Sequence, residues 1–272
     1  SGMLYCACTE AEQALAWARV QGAAVQEIGV SAAHERVPDL APELGQGLWM
    51  PDVAQIRNPR LLSALSTDLR QSGVQFLENI TVQGFTAQQG RLTALRTNRG
   101  DIETQRCLVA AGAWTGDLLT STELPLPITP VKGQMLLLSG QDLRLNTMII
   151  KDNRYIIPRR DGRVLVGSTL EFTGYTKSTT QDARADLVQA AVDMIPALAG
   201  CPVERQWAGL RPGSPTGVPY IGEHPGIAGL FVCAGHFRNG IVLAPASARL
   251  AADLMLGRTP ALDLGQFQLP PA

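Results

Sequence analysis

The chain has 272 residues, of which 45% are hydrophobic and 17% charged, with 27 glycines and 18 prolines. That apolar content excludes a disordered chain, and the length allows one large domain or two modest ones. A formal charge of −1, with no basic run, argues against a nucleic-acid partner, and no window approaches ~18 uninterrupted apolar residues, so no transmembrane span is expected.

Ser1–Cys8 reads as a strand, and its alternation accounts for Cys6 and Cys8 without a metal, since only three histidines could complete a site. The five cysteines are odd in number and scattered, which fits free thiols in a reducing cytoplasm. No basic segment followed by an apolar core opens the chain, so no signal peptide is expected. Thr9 is read as a helix cap, with Glu12 three residues on and Ala14, Leu15 and Ala18 as the apolar set. Residues 30–56 read as irregular. Asn58-Pro59 opens a second helix whose apolar face is Leu61, Leu62, Leu65 and Leu69, and Gly73 ends it.

From Val74 the period changes to two. It predicts strands over Val74–Ile80, Thr81–Gln88, Arg91–Thr97 and Glu103–Ala110, with turns at Gln89-Gly90 and Asn98–Asp101. The apolar run Cys107–Gly112 leads into a short helix near Ala113–Thr120, and a strand ending in glycine at a helix start is where α/β folds place ligands. Further strands are expected over Ile128–Ser139, Met148–Pro158, Arg163–Leu170 and Val203–Leu210. Asp182–Leu198 has helical spacing that Pro196 should cut short. The pattern then repeats: strand Gly229–Ala234, loop Gly235–Gly240, helix Asn239–Leu256, stop at Gly257.

Three places look chemical. Arg211 lies between a strand and a proline turn, Arg238 lies in a glycine-bounded loop at a helix start, and Tyr155 lies in the strand Tyr-Ile-Ile-Pro. Arginine is the side chain best shaped to hold a carboxylate through two parallel bonds. Against this, loop arginines are usually solvated and a strand tyrosine is usually half-core. A Gly-x-Gly-x-x-Gly dinucleotide loop is absent, Gly45-Gln46-Gly47 being the nearest approach, with Met50 at the last position.

Trp207–Gly213, Pro219–Gly222 and Gly235–Pro245 together resemble the C-terminal signature of flavin-dependent amine oxidases. Within the D-amino-acid oxidase and sarcosine oxidase superfamily, the chain is most similar to the glycine oxidases of thiamine biosynthesis. Ser1–Leu4, Leu108–Gly116, Pro130–Gln134, Tyr155–Pro158 and Val166–Thr169 support the match, which runs in order to about residue 256. The resemblance implies an α/β plus α+β fold of the FAD-linked reductase type. A mostly antiparallel substrate lobe would hold residues 1–55 and 129–214, and an FAD lobe would hold 56–128 and 215–272. The family's N-terminal β-α-β unit, which carries the glycine loop, lies upstream of the residue matching Ser1, so this polypeptide alone is expected to hold FAD weakly.

The same resemblance implies roles. Arg211 helps build the substrate side of the pocket, Arg238 pairs with the substrate carboxylate, and Tyr155 lines the site near it. Gly235, His236, Asn239, Gly240, Ile241 and Val242 wrap the isoalloxazine; Ala111, Gly112 and Trp114 lie beneath it; Val82 contacts adenine through its backbone. Two positions depart from the family: Asn153 stands for a site histidine and Leu170 for a pocket methionine. The implied reaction is oxidative deamination of glycine, sarcosine or D-alanine to the imine, with oxygen reduced to hydrogen peroxide. Alternatives are a D-amino-acid dehydrogenase with a quinone acceptor and a non-catalytic binding module. The expected setting is the cytoplasm, with a small amino acid and oxygen as partners, no membrane or metal, and a homo-oligomer allowed for.

Overall fold

The computed structural model describes residues 2–140 and 143–271. Its strands, in chain order, are β1 (Met3–Cys6), β2 (Gln26–Ile28), β3 (Gly47–Met50), β4 (Val82–Gln88), β5 (Arg91–Thr97), β6 (Ile102–Glu103), β7 (Cys107–Val109), β8 (Thr129–Ser139), β9 (Met148–Lys151), β10 (Arg154–Pro158), β11 (Arg163–Gly167), β12 (Val203–Gly213), β13 (Tyr220–Glu223) and β14 (Leu230–Ala234). Its α-helices are α1 (Ala11–Gln21), α2 (Val30–Arg36), α3 (Asn58–Gln71), α4 (Thr115–Leu119), α5 (Gln181–Met194) and α6 (Gly240–Met255). The chain divides into two compact units. The first holds residues 1–74, 133–170 and 177–209, and the second 75–132, 171–176 and 210–272. The division falls inside β8 and β12, and α3 groups with the first unit, whereas the lobe expected from sequence put it in the second.

The first unit is built on a mixed sheet of order β12-β8-β11-β10-β9-β1-β3-β2, in which β1 runs parallel to β9 and antiparallel to β3. One face buries Leu4, Leu136, Ile149, Ile156 and Val166 against Leu187, Ala191 and Met194 of α5 and Ala33 of α2. The spacing of those α5 residues, four and then three apart, puts them on a single helical stripe. Thr180 caps α5 by accepting the Ala183 N–H at 3.3 Å, and Pro196, lacking an N–H to continue it, converts the end to a 3-10 turn over Pro196–Gly200.

The second unit has two small sheets, the antiparallel β4-β5-β6 and the mixed β13-β14-β7. Leu92, Val109, Leu119, Leu230 and Val232 form one core, and Ile221, Leu250 and Ala251 a second beneath α6. Gln89 and Gly90 both have positive φ (50° and 72°), the geometry that matches a two-residue turn to the strand twist of β4–β5.

Several expectations are corrected. The Thr9–Glu12 capping box does not form, since α1 starts at Ala11 with Glu10 at the cap and no side-chain cap bond. Residues 30–56 contain α2 and β3; β3 is ordered by its pairing with β1 and β2 and not by a pattern of its own. Val74–Ile80 forms no strand among the described residues, because no neighbour offers it a hydrogen-bond ladder. Met148–Pro158 is a hairpin, broken at Asp152-Asn153, where Asp152 takes φ 54°. Glu103–Ala110 splits between two sheets, and β13 had no sequence signal. α3 spans the expected residues, but its stripe is not buried: Leu62, Leu65 and Leu69 are 60%, 48% and 42% exposed.

Candidate active site

In the second unit β7 and β14 are adjacent and parallel, pairing Cys107 with Leu230 and Val109 with Val232. Their carboxyl ends therefore open at one edge of the sheet, the place where α/β folds bind ligands. Each end turns on a glycine with positive φ, Gly112 at 57° and Gly235 at 83°. A side chain is strained in that region, so glycine permits both turns. From β7 the chain delivers Ala111, Gly112 and Trp114; from β14 it delivers Gly235, His236, Arg238 and Asn239, and then Gly240, Ile241 and Val242 in the first turn of α6.

The Gly235–Asn239 loop is pinned on three sides. Phe237, itself at φ 48°, donates its N–H to Pro212 O at 2.9 Å, and His236 bridges antiparallel to Gly213. His236 Nε2 shares a 2.9 Å hydrogen bond with Ser247 Oγ of α6, and burial lowers the imidazole below its ordinary value, favouring the neutral ring. These bonds tie the loop carrying Arg238 to the end of β12, which carries Arg211 beside Pro212. Arg238 is exposed and makes no ion pair among the described residues.

A cleft of about 720 Å³ in the same unit is lined by Val82, Phe85, Val109, Ala111 and Trp114. Its apolar walls suit an aromatic ring system. Two buried hydroxyls near these loops, Ser214 Oγ and Thr115 Oγ1, have no hydrogen-bond partner among the described residues. Ser214 packs against Gly235, and Thr115 follows Trp114. Buried hydroxyls are normally satisfied, so such orphans mark places where a ligand's polar atoms fit. Asn239 stands at the α6 cap position without a side-chain cap bond, leaving the positive end of the helix free. Ile241 and Val242 project from that first turn into solvent. The residues present thus fit a flavin: an apolar cleft, two glycine turns, two orphan hydroxyls and a helix start.

The first unit holds the other three expected residues. Tyr155 on β10 is the cross-strand partner of Gly167 on β11, and a Cβ added to Gly167 would fall 2.5 Å from the tyrosine ring. Its hydroxyl contacts Met135 Sδ at 3.9 Å. Asn153 is exposed in the β9–β10 turn, and Leu170 is exposed beyond the end of β11.

Two contacts were not read from the sequence. Lys132 is 3% exposed and pairs with Glu171 Oε2 at 2.8 Å, while the two backbones exchange hydrogen bonds of 2.8 and 2.9 Å. Tyr175 stacks on Trp114 at 5.7 Å and donates its hydroxyl to Ala113 O at 3.2 Å. Burial, and then the adjacent Asp117, push its phenol up to about 12. Together they fix the six-residue excursion 171–176 to the second unit. A lysine among apolar strand residues was the only clue available. No cluster of three His, Cys, Asp or Glu suited to a metal occurs among the described residues.

The family model described as DAO, FAD dependent oxidoreductase, matches residues 1–254. The chain is 44% identical over 264 residues to glycine oxidase of Pseudomonas putida, covering 97% of this chain and 72% of that protein. It is 37% identical over 227 residues to the bifunctional protein ThiO/ThiG of Trichormus variabilis, covering 82% and 34%. The crystal structure of glycine oxidase from Geobacillus kaustophilus superposes with a TM-score of 0.93 at 30% identity, covering all of this chain and 75% of that one. The fold and these matches agree: the chain belongs to the DAO family of FAD-dependent oxidoreductases.

Proposed function

We propose that this flavoprotein oxidises glycine, or another small amino acid such as sarcosine or D-alanine, to the imine, in the service of thiazole formation for thiamine. The substrate loses two electrons and two protons, oxygen takes them up as hydrogen peroxide, and water converts the imine to the oxo acid and the free amine, ammonia from glycine or D-alanine and methylamine from sarcosine. Bound FAD supplies the two-electron acceptor. Val82, Ala111, Gly112, Trp114, Gly235, His236, Asn239, Gly240, Ile241 and Val242 would hold it.

The observation that carries the reading is Arg238, a guanidinium with no ion pair among the described residues, on a loop fixed by the Phe237–Pro212 and His236–Ser247 bonds. A guanidinium fork matches a carboxylate through two parallel bonds, and a pinned loop fixes where the substrate Cα stands. Arg211, next to Pro212, supplies a second positive charge toward the same group. Tyr155 is proposed as a substrate-lining residue, with Asn153 and Leu170 tuning its surroundings. The amine enters neutral, so no side chain needs to take a proton from nitrogen. No helix among the described residues is long and apolar enough to cross a membrane; the proposed setting is the cytoplasm.

The test compares glycine with an amine lacking a carboxylate, on Arg238→Ala, with flavin content measured. Loss of the charge-assisted contact should reduce kcat/KM for glycine about 30- to 1000-fold. The carboxylate-free amine should be indifferent, and Arg238→Lys should recover only part. Equal losses on both substrates, or parallel loss of flavin, would assign Arg238 to bracing the loop.

A further inference from the structure

A second cavity, of about 690 Å³, lies wholly in the first unit, lined by Gln55, Arg57, Arg60, Arg159, Arg160 and Asp161 among others. Two sequence-distant segments build it. Arg57 and Arg60 flank the start of α3, and Arg159–Asp161 form the turn joining β10 to β11. Gln55 Nε2 donates to Pro158 O at 2.7 Å and locks the two segments together. The turn itself is closed by Arg159 N–H donating to Arg163 O and Gly162 N–H to Arg159 O.

Four guanidiniums face this cavity against one carboxylate, and that carboxylate is already committed. Asp161 Oδ2 pairs with Arg57 at 3.1 Å and with Arg163 at 3.5 Å. Burial would raise its carboxyl, but the Arg163 backbone N–H and the Arg57 guanidinium hold it below the usual range. Arg60, Arg159 and Arg160 make no ion pair among the described residues.

This crowding is unfavourable as it stands. Arg159 is shifted down, first by partial burial and then by the positive charges of Arg57 and Arg60. Arg60 also sits in the first turn of α3, which contains no acidic residue, so it opposes the positive end of the helix dipole. A multiply charged anion would offset both the mutual repulsion and the opposed helix dipole. Guanidinium forks suit the oxygens of a phosphoryl group, and the cavity has room for more than a bare ion.

We propose that the Arg57–Arg60–Arg159–Arg160 cavity binds a phosphate-bearing small molecule through its phosphoryl group, using residues that the flavin reaction does not. Calorimetric titration of the full chain with inorganic phosphate and with pyrophosphate, at ionic strength held constant with chloride, tests it. Saturable binding is expected, tighter for pyrophosphate. Arg60→Gln and Arg159→Gln should each weaken it about ten- to a hundredfold. Asp161→Asn, which removes the competing carboxylate, should tighten it. Arg60 is exposed, so its variant should keep the wild-type fold and circular dichroism. Phosphate and a phosphate monoester such as glycerol phosphate are compared to separate a bare-anion site from a metabolite site; equal affinity overturns the metabolite assignment. No saturable binding, or affinities indifferent to all three substitutions, overturns the site itself.

Discussion

Gly167 and Tyr155 show how one missing side chain positions another. The tyrosine ring occupies the space a Cβ at position 167 would need. Gly167→Ala should therefore cost about 1–3 kcal/mol by overpacking. The same change in a Tyr155→Ala background should cost less than about 0.5 kcal/mol, since the ring that the new Cβ would strike is gone. Urea denaturation of the four proteins reads the coupling, and additive costs would mean the strand backbone carries the strain. Lys132 and Glu171 make the complementary case for charge. Glu171→Gln weakens the pairing of a buried ammonium and should cost about 2 kcal/mol. The double change Lys132→Met with Glu171→Leu should lie closer to wild type, because no buried charge is left behind.

α3 and α5 are both amphipathic by spacing, yet they differ in what their stripes meet. α5 buries Leu187, Ala191 and Met194, and its start is held by a network around Gln134, which is itself fully buried. Gln134 Oε1 accepts the Thr180 N–H at 2.9 Å and Gln206 Nε2 at 3.1 Å, while Gln134 Nε2 donates to Thr180 Oγ1 at 3.1 Å. Thr180→Ala should cost about 1–2 kcal/mol, the value of a lost cap. Gln134→Leu should cost more, since it removes all three of these hydrogen bonds, to the Thr180 N–H, the Thr180 hydroxyl and Gln206. α3 buries none of its residues. Leu62→Lys and Leu65→Lys should thus change the unfolding free energy of this chain by no more than about 0.5 kcal/mol. A larger loss in chemical denaturation would show that the stripe is packed in solution.

Acid should act on the second unit, where both shifted histidines reside. His224 is buried, shares a 2.9 Å hydrogen bond through Nε2 with Thr122 Oγ1, and accepts the Gly226 N–H at Nδ1. Burial lowers His224 and His236 alike from the ordinary value of 6.5. Below that value the unfolded chain takes up protons that the folded chain refuses. The stability they contribute is thus complete above pH 6.5 and is lost as pH falls toward their folded values. Thermal unfolding followed from pH 8 to pH 5 should show a falling midpoint, and His224→Gln should flatten that fall. An unchanged slope would mean that other groups set the acid limb.

Period, caps and turn residues made α3, α5, α6, β4, β5 and β8 legible, because those elements are specified by local pattern: a helical stripe, a cap or proline, a two-residue turn. The two glycine-bounded loops were legible for the same reason, since a turn with positive φ demands glycine wherever the chain goes next. The family was legible from motifs whose order along the chain is itself sequence information. β2, β3 and β13 were not, because each is short and owes its order to a neighbour distant in sequence. Val74–Ile80 failed in the opposite sense: its alternation is intact, but extended backbone becomes a strand only where another strand answers its N–H and C=O groups. Tertiary structure alone decided the rest. It set β7 parallel to β14 so that their glycine turns share an edge, tied the Arg238 loop to Pro212, buried Lys132 against Glu171, and brought Arg57 and Arg60 to Arg159 across about a hundred residues of chain. Local sequence fixes what a backbone segment can adopt, whereas contact between charges and rings depends on which segments the fold packs together.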